Sequence, residues 1–265
     1  MNVLTRRVAS STLVISRGWL LELRQLMRSR LYLVTAVILP LVFASLAHYM
    51  FAGSHRTEGP LVIALSAGLM GMWSTTLMGS GSAINRLRFM QVLEPLVACP
   101  TSTFLFSVPF ALATASMGIY SLGATLVWST LFFGMPVELA SPLLFAVALL
   151  VTVVSLALLG LLLASAFILY PTAQSLANFF EYPIWMLSGV LVPVSSLPEP
   201  VRYLADVLAP SWGVKAIMRS ATGEGGTLPA VLACSLLSVL YALITLILLR
   251  RFEWLARSSG TLALQ

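Results

Sequence analysis

The chain has 265 residues, of which 59% are hydrophobic and only 9% are charged. Soluble domains carry about 25% charged residues, so this composition excludes a single soluble core and indicates a membrane protein. The net charge of +6 does not predict a nucleic-acid partner, because the basic residues flank long apolar runs, as they do at the cytoplasmic ends of membrane proteins.

The N-terminal segment predicts an amphipathic helix over residues 17–30. Arg17, Arg24 and Arg28 fall on one face of such a helix. The opposing arc is apolar and holds Trp19, Leu20, Leu23, Leu26 and Met27. We expect this helix to lie in the inner membrane interface, with its arginines toward headgroups and cytoplasm. It is either a plain membrane anchor or a connecting helix that also touches a cytoplasmic partner.

Six stretches are long enough to cross the hydrocarbon layer, which takes about 20 apolar residues. They cover residues 31–51, 60–83, 107–133, 142–168, 174–193 and 228–249. The fourth and fifth are separated only by the uncharged turn "LYPTAQS" (169–175). The sequence therefore predicts an all-α polytopic membrane protein with six transmembrane helices, forming one domain over residues 1–265.

The arginine distribution predicts the orientation of these spans. The segments on one side hold eleven arginines and three glutamates, whereas those on the other side hold four basic and five acidic residues. Because cytoplasmic loops carry an excess of Lys and Arg, the basic side is predicted to be cytoplasmic. Both termini fall on that side, as an even number of spans requires.

The segment after the fifth span is rich in proline. Pro193, Pro198 and Pro200 end that span and prevent the helix from continuing into solvent. The sequence "VRYLADVL" (201–208) then predicts one short amphipathic helix, which Pro210 ends. We expect residues 194–226 to form an external cap, with a re-entrant or interfacial helix, between spans five and six.

No catalytic motif is present, and the sequence predicts neither an enzyme nor a bound metal. Lys215 is the only lysine, so the chain has no GK[ST] lysine for a P-loop. If ATP drives this protein, another polypeptide binds the ATP and its Mg²⁺, and this chain holds no cofactor. Cys99 and Cys234 are far apart in apolar surroundings, typical of small hydrophobic residues rather than a disulfide. His48 is typical of an interfacial polar residue.

Glu181 is nearly the only charge within the predicted spans. A charge at the bilayer centre costs about 3 kcal/mol or more, so it must face protein, water or the interface. Asn178 and Ser188 fall near the same helical stripe. These three residues are candidates for a substrate pathway. A structural interhelical role for Glu181 is the alternative.

The stretch "LSGVLVPVSSLPEPVRYLADVLAPSWGVKAIMRS" (187–220) resembles the signature of ABC-2 permeases, the membrane subunits of ATP-binding-cassette exporters. The matching positions are Ser188, Gly189, Pro193, Leu197, Pro198, Pro210 and Arg219. The cytoplasmic loop at residues 85–102 is also similar to the family's coupling segment. The resemblance implies that this loop and the N-terminal helix rest on the nucleotide-binding subunit through Arg24, Arg28, Arg86, Arg88 and Glu94.

The resemblance implies a permease of the bacterial inner membrane that works with a separate ATPase subunit and a second permease chain, identical or paralogous. The expected substrate is a hydrophobic or amphiphilic compound such as a drug, an antibiotic or a lipid-linked molecule. Export of polysaccharides also occurs in the family. The alternatives are an ion-coupled secondary transporter, which the scarcity of intramembrane carboxylates disfavours, and a membrane assembly factor that transports nothing.

Overall fold

A computed structural model describes residues 3–52, 59–81, 103–134, 138–166, 173–190, 194 and 197–259. These residues form α-helices and no β-strand, which confirms the prediction of an all-helical fold. The helices are α1 (Val3–Arg28), α2 (Arg30–Ala52), α3 (Pro60–Gly81), α4 (Thr103–Phe133), α5 (Pro142–Ala166), α6 (Ala173–Ser188), α7 (Glu199–Val207), α8 (Ala209–Thr222) and α9 (Thr227–Ser259).

Four of the described helices are long and apolar enough to cross a membrane. The qualifying stretches are Pro60–Leu77, Phe104–Phe133, Pro142–Ala166 and Thr227–Phe252. Helices α2 and α6 cover the other two predicted spans, and α2 contains a shorter apolar stretch, Ala36–Tyr49. A count of six spans stays a prediction.

Helix α6 ends earlier than the sequence predicts. Its last residue is Ser188, five residues before the predicted end at Pro193. The next residue, Gly189, has a φ of 82°, a left-handed conformation that ends a helix and that glycine adopts without a steric cost.

The segment between α6 and α9 holds two helices rather than the single short one predicted. Pro198 is the N-cap of α7, and Leu208 adopts an extended conformation between α7 and α8. Pro210 then lies in the first turn of α8, where a proline needs no N–H partner and its fixed φ suits the helix. Pro210, which was predicted to end the first short helix, thus lies two residues after the C-cap of that helix and within the first turn of a second one.

Helix α3 lies at the centre of the bundle. Its side chains are buried nearly all round, and it packs against α2, α4, α5 and α6. The largest fully buried side chains of α3 are Leu65, Leu69, Met72, Trp73 and Leu77. Helix α9, by contrast, is peripheral and buries a smaller share of its surface than α3, α4 or α5.

Glycines facing hydroxyl side chains set the distances between the central helices. Gly160 of α5 lies directly on Ser80 of α3, and Gly118 of α4 lies directly on Thr76 of α3. A Cβ on Gly160 would overlap the Ser80 side chain and lie 3.0 Å from the carbonyl oxygen of Leu77. Ser80 Oγ donates a 2.7 Å hydrogen bond to the Thr76 carbonyl oxygen of its own helix, so the hydroxyl is satisfied without separating the helices.

Replacing Gly160 with alanine should therefore destabilise the bundle. The added methyl group has to push α5 away from α3, and overpacking of this kind costs about 1–3 kcal/mol. We expect a lower midpoint of thermal unfolding in detergent, measured by size-exclusion chromatography of the heated protein.

The matched control is Gly123→Ala in α4, where an added Cβ meets nothing within 4 Å. This substitution should leave the midpoint unchanged or raise it slightly, since alanine favours helix over glycine by about 1 kcal/mol. Equal midpoints for the two variants would contradict the assignment of Gly160 to a close helix contact.

Candidate functional site

The junction between α7 and α8 lies deep in the bundle. The Tyr241 hydroxyl of α9 accepts a hydrogen bond from the Ala209 amide at 3.1 Å and donates one to the Val207 carbonyl oxygen at 3.4 Å. Tyr241 is roughly 20 Å along α9 from Thr227, at a rise of about 1.5 Å per residue. It is therefore near the middle of the apolar stretch Thr227–Phe252.

Contacts along α8 show that this helix runs from the interior of the bundle to one end. At its inner half, Gly213 packs against Thr152 of α5, and Ser211 Oγ donates to the Leu187 carbonyl oxygen near the end of α6. At its outer end, the amide of Ser141, just before α5, donates to the Ser220 carbonyl oxygen at 3.2 Å. Helices α7 and α8 are joined at Leu208, and residues 199–222 are here called the inner hairpin.

A polar cluster lies on the exposed side of the inner hairpin. Lys215 Nζ is 3.2 Å from Asp206 Oδ1 and 4.4 Å from the ring centre of Trp212. Trp212 Nε1 donates a 2.9 Å hydrogen bond to the Asp206 carbonyl oxygen. Arg202, one turn before Asp206, donates through Nε to the Leu197 carbonyl oxygen. The cluster fastens α7 to α8 and to the loop before α7.

The depth of this cluster constrains what it can face. Asp206 immediately precedes Val207, which Tyr241 binds, yet the Asp206 side chain is 52% exposed. Charged groups that contact hydrocarbon at such a depth are costly, and they are found facing water or protein. Tyr203, Leu204 and Val207 are also exposed on α7, so the requirement for water or protein applies to the polar cluster and not to the whole exposed side of the helix.

Ser188 and Gly189 lie at the end of α6. The Ser188 side chain is 1% exposed, and its hydroxyl donates to the Trp185 carbonyl oxygen at 3.0 Å. Trp185 itself contacts the ring of Phe43 on α2 edge to face. The Ser188 hydroxyl therefore bonds a carbonyl oxygen of its own helix. A role for Ser188 in the pathway stays a prediction.

The other described signature positions lie at the start, at the central junction and at the end of the inner hairpin. Leu197 is buried and Pro198 begins α7, while Pro210 is buried in the first turn of α8. Arg219 lies in the last turn of α8 and donates from Nη1 to the Gly226 carbonyl oxygen at 3.2 Å, which bridges the turn into α9. Pro193 lies outside the described residues.

The remaining predicted pathway residues are on α6. Asn178 and Glu181 belong to the helix, but their side chains lie outside what the structure describes. The described outward face of this helix is apolar, with Phe179, Tyr182 and Met186 exposed. The two roles considered for Glu181 therefore stay open.

Helix α1 is packed firmly on α4. A Cβ on Gly18 would lie 2.9 Å from Pro109, and Trp19 Nε1 donates to Ser116 Oγ at 3.1 Å. Arg24 and Arg28 are exposed on this helix, as the amphipathic pattern predicts. The other predicted coupling residues, Arg86, Arg88 and Glu94, lie outside the described residues.

One buried carboxylate went unnoticed in the sequence. The Glu22 side chain is only 3% exposed and lies on the packed side of α1. The sequence did contain one signal. Glu22 lies four residues after Gly18 and therefore on the same helix face, and Gly18 contacts Pro109.

One further residue of the site, Tyr241, could be identified only from the structure. Tyr241 gave no sequence signal beyond a phenol within an apolar span. No group of His, Cys, Asp and Glu that could hold a metal occurs among the described residues.

Comparison with known proteins assigns the family. The family model for the ABC-2 type transporter matches residues 14–221, from within α1 to near the end of the inner hairpin. A search of the curated proteins found no match. The matched region includes every predicted coupling, pathway and signature residue, and the chain therefore belongs to the ABC-2 type transporter family.

Proposed function

We propose that the chain is the permease subunit of an ATP-driven exporter that moves hydrophobic or amphiphilic compounds out of the cytoplasm or the inner leaflet. The match to the ABC-2 family over residues 14–221 carries this proposal. Candidate substrates are drugs, antibiotics and lipid-linked molecules. We place the permease in the bacterial inner membrane, with both termini in the cytoplasm.

ATP hydrolysis in this proposal takes place on a separate nucleotide-binding subunit. The supporting observation is the single lysine of the sequence, Lys215, which is followed by Ala216 rather than by Ser or Thr. This lysine is engaged by Asp206 and Trp212. It therefore lacks the context of a P-loop lysine, which needs a following Ser or Thr and a glycine-rich loop.

Two permease chains would form the pathway between them. The exposed polar side of the inner hairpin, with Asp206 and Lys215, supports an exit recess that water enters from outside. Asn178, Glu181 and Ser188 on the preceding helix are proposed as further pathway residues. An amphiphile could then move its polar group along this side while its apolar part stays in contact with lipid.

Accessibility to a membrane-impermeant thiol reagent tests the exit recess. In a background of Cys99→Ser and Cys234→Ala, a cysteine at Asp206 should react from outside in intact cells. The control is Leu236→Cys, which is 73% exposed on α9 and lies five residues nearer the predicted outer end of this helix than Tyr241. This cysteine should be protected by lipid. If Asp206→Cys is as unreactive as Leu236→Cys, the inner hairpin does not face a water-filled recess.

The same background tests the orientation. Glu224→Cys, in the turn before α9, should react from outside, whereas Arg257→Cys should react only after the membrane is permeabilised. Labelling of Arg257→Cys in intact cells would reverse the proposed topology.

Coupling to the ATPase subunit is tested by reversing a charge in the loop at residues 85–102. Glu94→Lys should leave the permease inserted but weaken its association with the ATPase subunit. An acidic residue is not needed for orientation, since arginines alone set it. The readouts are co-purification of the two subunits and substrate-stimulated ATP hydrolysis in liposomes. We expect both to fall severalfold.

A conservative control, Glu94→Gln, removes the charge without reversing it and should have an intermediate effect. Unchanged association and hydrolysis in Glu94→Lys would make this loop a plain connector. ATP hydrolysis by the purified permease alone would contradict the proposed division between two subunits.

A further inference from the structure

The exposed face of α9 is aliphatic over most of its length and becomes basic and aromatic near its end. Its outward side chains recur at intervals of three or four residues, so they form one stripe. Over most of the apolar stretch this stripe is aliphatic, with exposed residues Leu232, Leu236, Leu240, Leu243 and Ile247. This part of the stripe is suited to lipid tails, since the apolar stretch Thr227–Phe252 is long enough to cross a membrane.

The stripe ends in a basic and aromatic groove. Ile247, Arg250, Arg251 and Trp254 line an open groove on the surface of the bundle. Trp254 is 70% exposed, and both arginines are exposed. On the opposite side of the same turns, Leu249 and Phe252 are buried. The groove therefore continues the aliphatic stripe on the lateral face of the bundle.

We propose that this groove binds the headgroup of an anionic phospholipid. The two guanidinium groups flank the stripe and would hold the phosphate and the glycerol of the lipid between them, because arginine binds phosphate oxygens in a forked geometry. Trp254 is an aromatic residue of the kind enriched at headgroup level. The acyl chains would lie along Leu243 and Ile247.

The surroundings leave both arginines open to such a ligand. No carboxylate of the described side chains lies within ion-pair distance of Arg250 or Arg251. Continuity with the aliphatic stripe distinguishes a lipid from a soluble anion, because a soluble anion would gain nothing from Leu243 and Ile247. A protein partner that binds from the cytoplasm would likewise have no use for a groove that opens along the side of α9.

The experiment compares lipids added to the purified full-length permease in detergent. Binding of dioleoylphosphatidylglycerol and dioleoylphosphatidylcholine is measured by native mass spectrometry and by the shift in the thermal unfolding midpoint. We expect the anionic lipid to bind more tightly and to raise the midpoint further than the zwitterionic lipid. Soluble glycerol phosphate should cause no shift, because it has no acyl chains.

The double variant Arg250→Gln with Arg251→Gln should bind the anionic lipid roughly 10- to 30-fold more weakly. This factor follows from about 1 kcal/mol for each basic residue near an anionic membrane surface. Its response to the zwitterionic lipid should be unchanged. If the double variant is not recovered, the two single variants take its place, each with a loss of roughly fivefold.

The charge-matched control replaces two other exposed arginines, in the double variant Arg17→Gln with Arg30→Gln. It should keep most of the preference for the anionic lipid, because Arg17 is expected near the headgroups and contributes only general charge attraction. An equal loss in the control would show general charge attraction and overturn the site. The site is also overturned if the Arg250 and Arg251 variants keep the preference, or if they lose only their association with the ATPase subunit.

Discussion

The close approach of α3 to α4 and α5 is the constraint on which the rest of the structure depends. Lipid tails are as apolar as the side chains of these helices, so burial of apolar surface between helices gains little. Dispersion contacts hold such a bundle together, and they require short distances over long surfaces. Gly118 and Gly160 provide these distances, because a methyl group at either position would overlap Thr76 or Ser80.

Hydroxyl side chains make this packing compatible with lipid. Thr76 and Ser80 are fully buried, and an unpaired hydroxyl in such a place would be costly. Ser80 bonds a carbonyl oxygen of its own helix, and Thr152 does the same where it meets Gly213 of the inner hairpin. Thr76 instead donates to the Thr114 carbonyl oxygen of α4 at 3.5 Å, and in all three contacts the hydroxyl oxygen is the atom nearest to the glycine. Small polar residues act here as packing elements and not as binding groups.

The sequence was sufficient to predict the helices but not their depth. Length and apolarity identify α3, α4, α5 and α9, because a span needs about 20 apolar residues and the only charges in these stretches are Arg250 and Arg251, at the end of the last one. The inner hairpin was placed as a cap with one short helix, since three prolines and Asp206 suggested an interfacial segment. Its second helix has only 14 residues, and only its contacts with Thr152 and Tyr241 reveal that it lies inside. Such contacts between distant segments have no local sequence pattern.

The glycine contacts form a continuous route from the N-terminal helix to the inner hairpin. Gly18 of α1 meets α4, Gly118 of α4 meets α3, Gly160 of α5 meets α3, and Gly213 of α8 meets α5. At each of these contacts a glycine brings the backbone close to another helix. Because glycine has no side chain, it cannot absorb a displacement of that helix by changing its rotamer. Under the proposed function, a movement that the ATPase subunit imposes on α1 would shift whole helices rather than single side chains. The polar cluster of Asp206 and Lys215 lies at the end of this route, where a shift of α8 relative to α7 would break the ion pair that joins them.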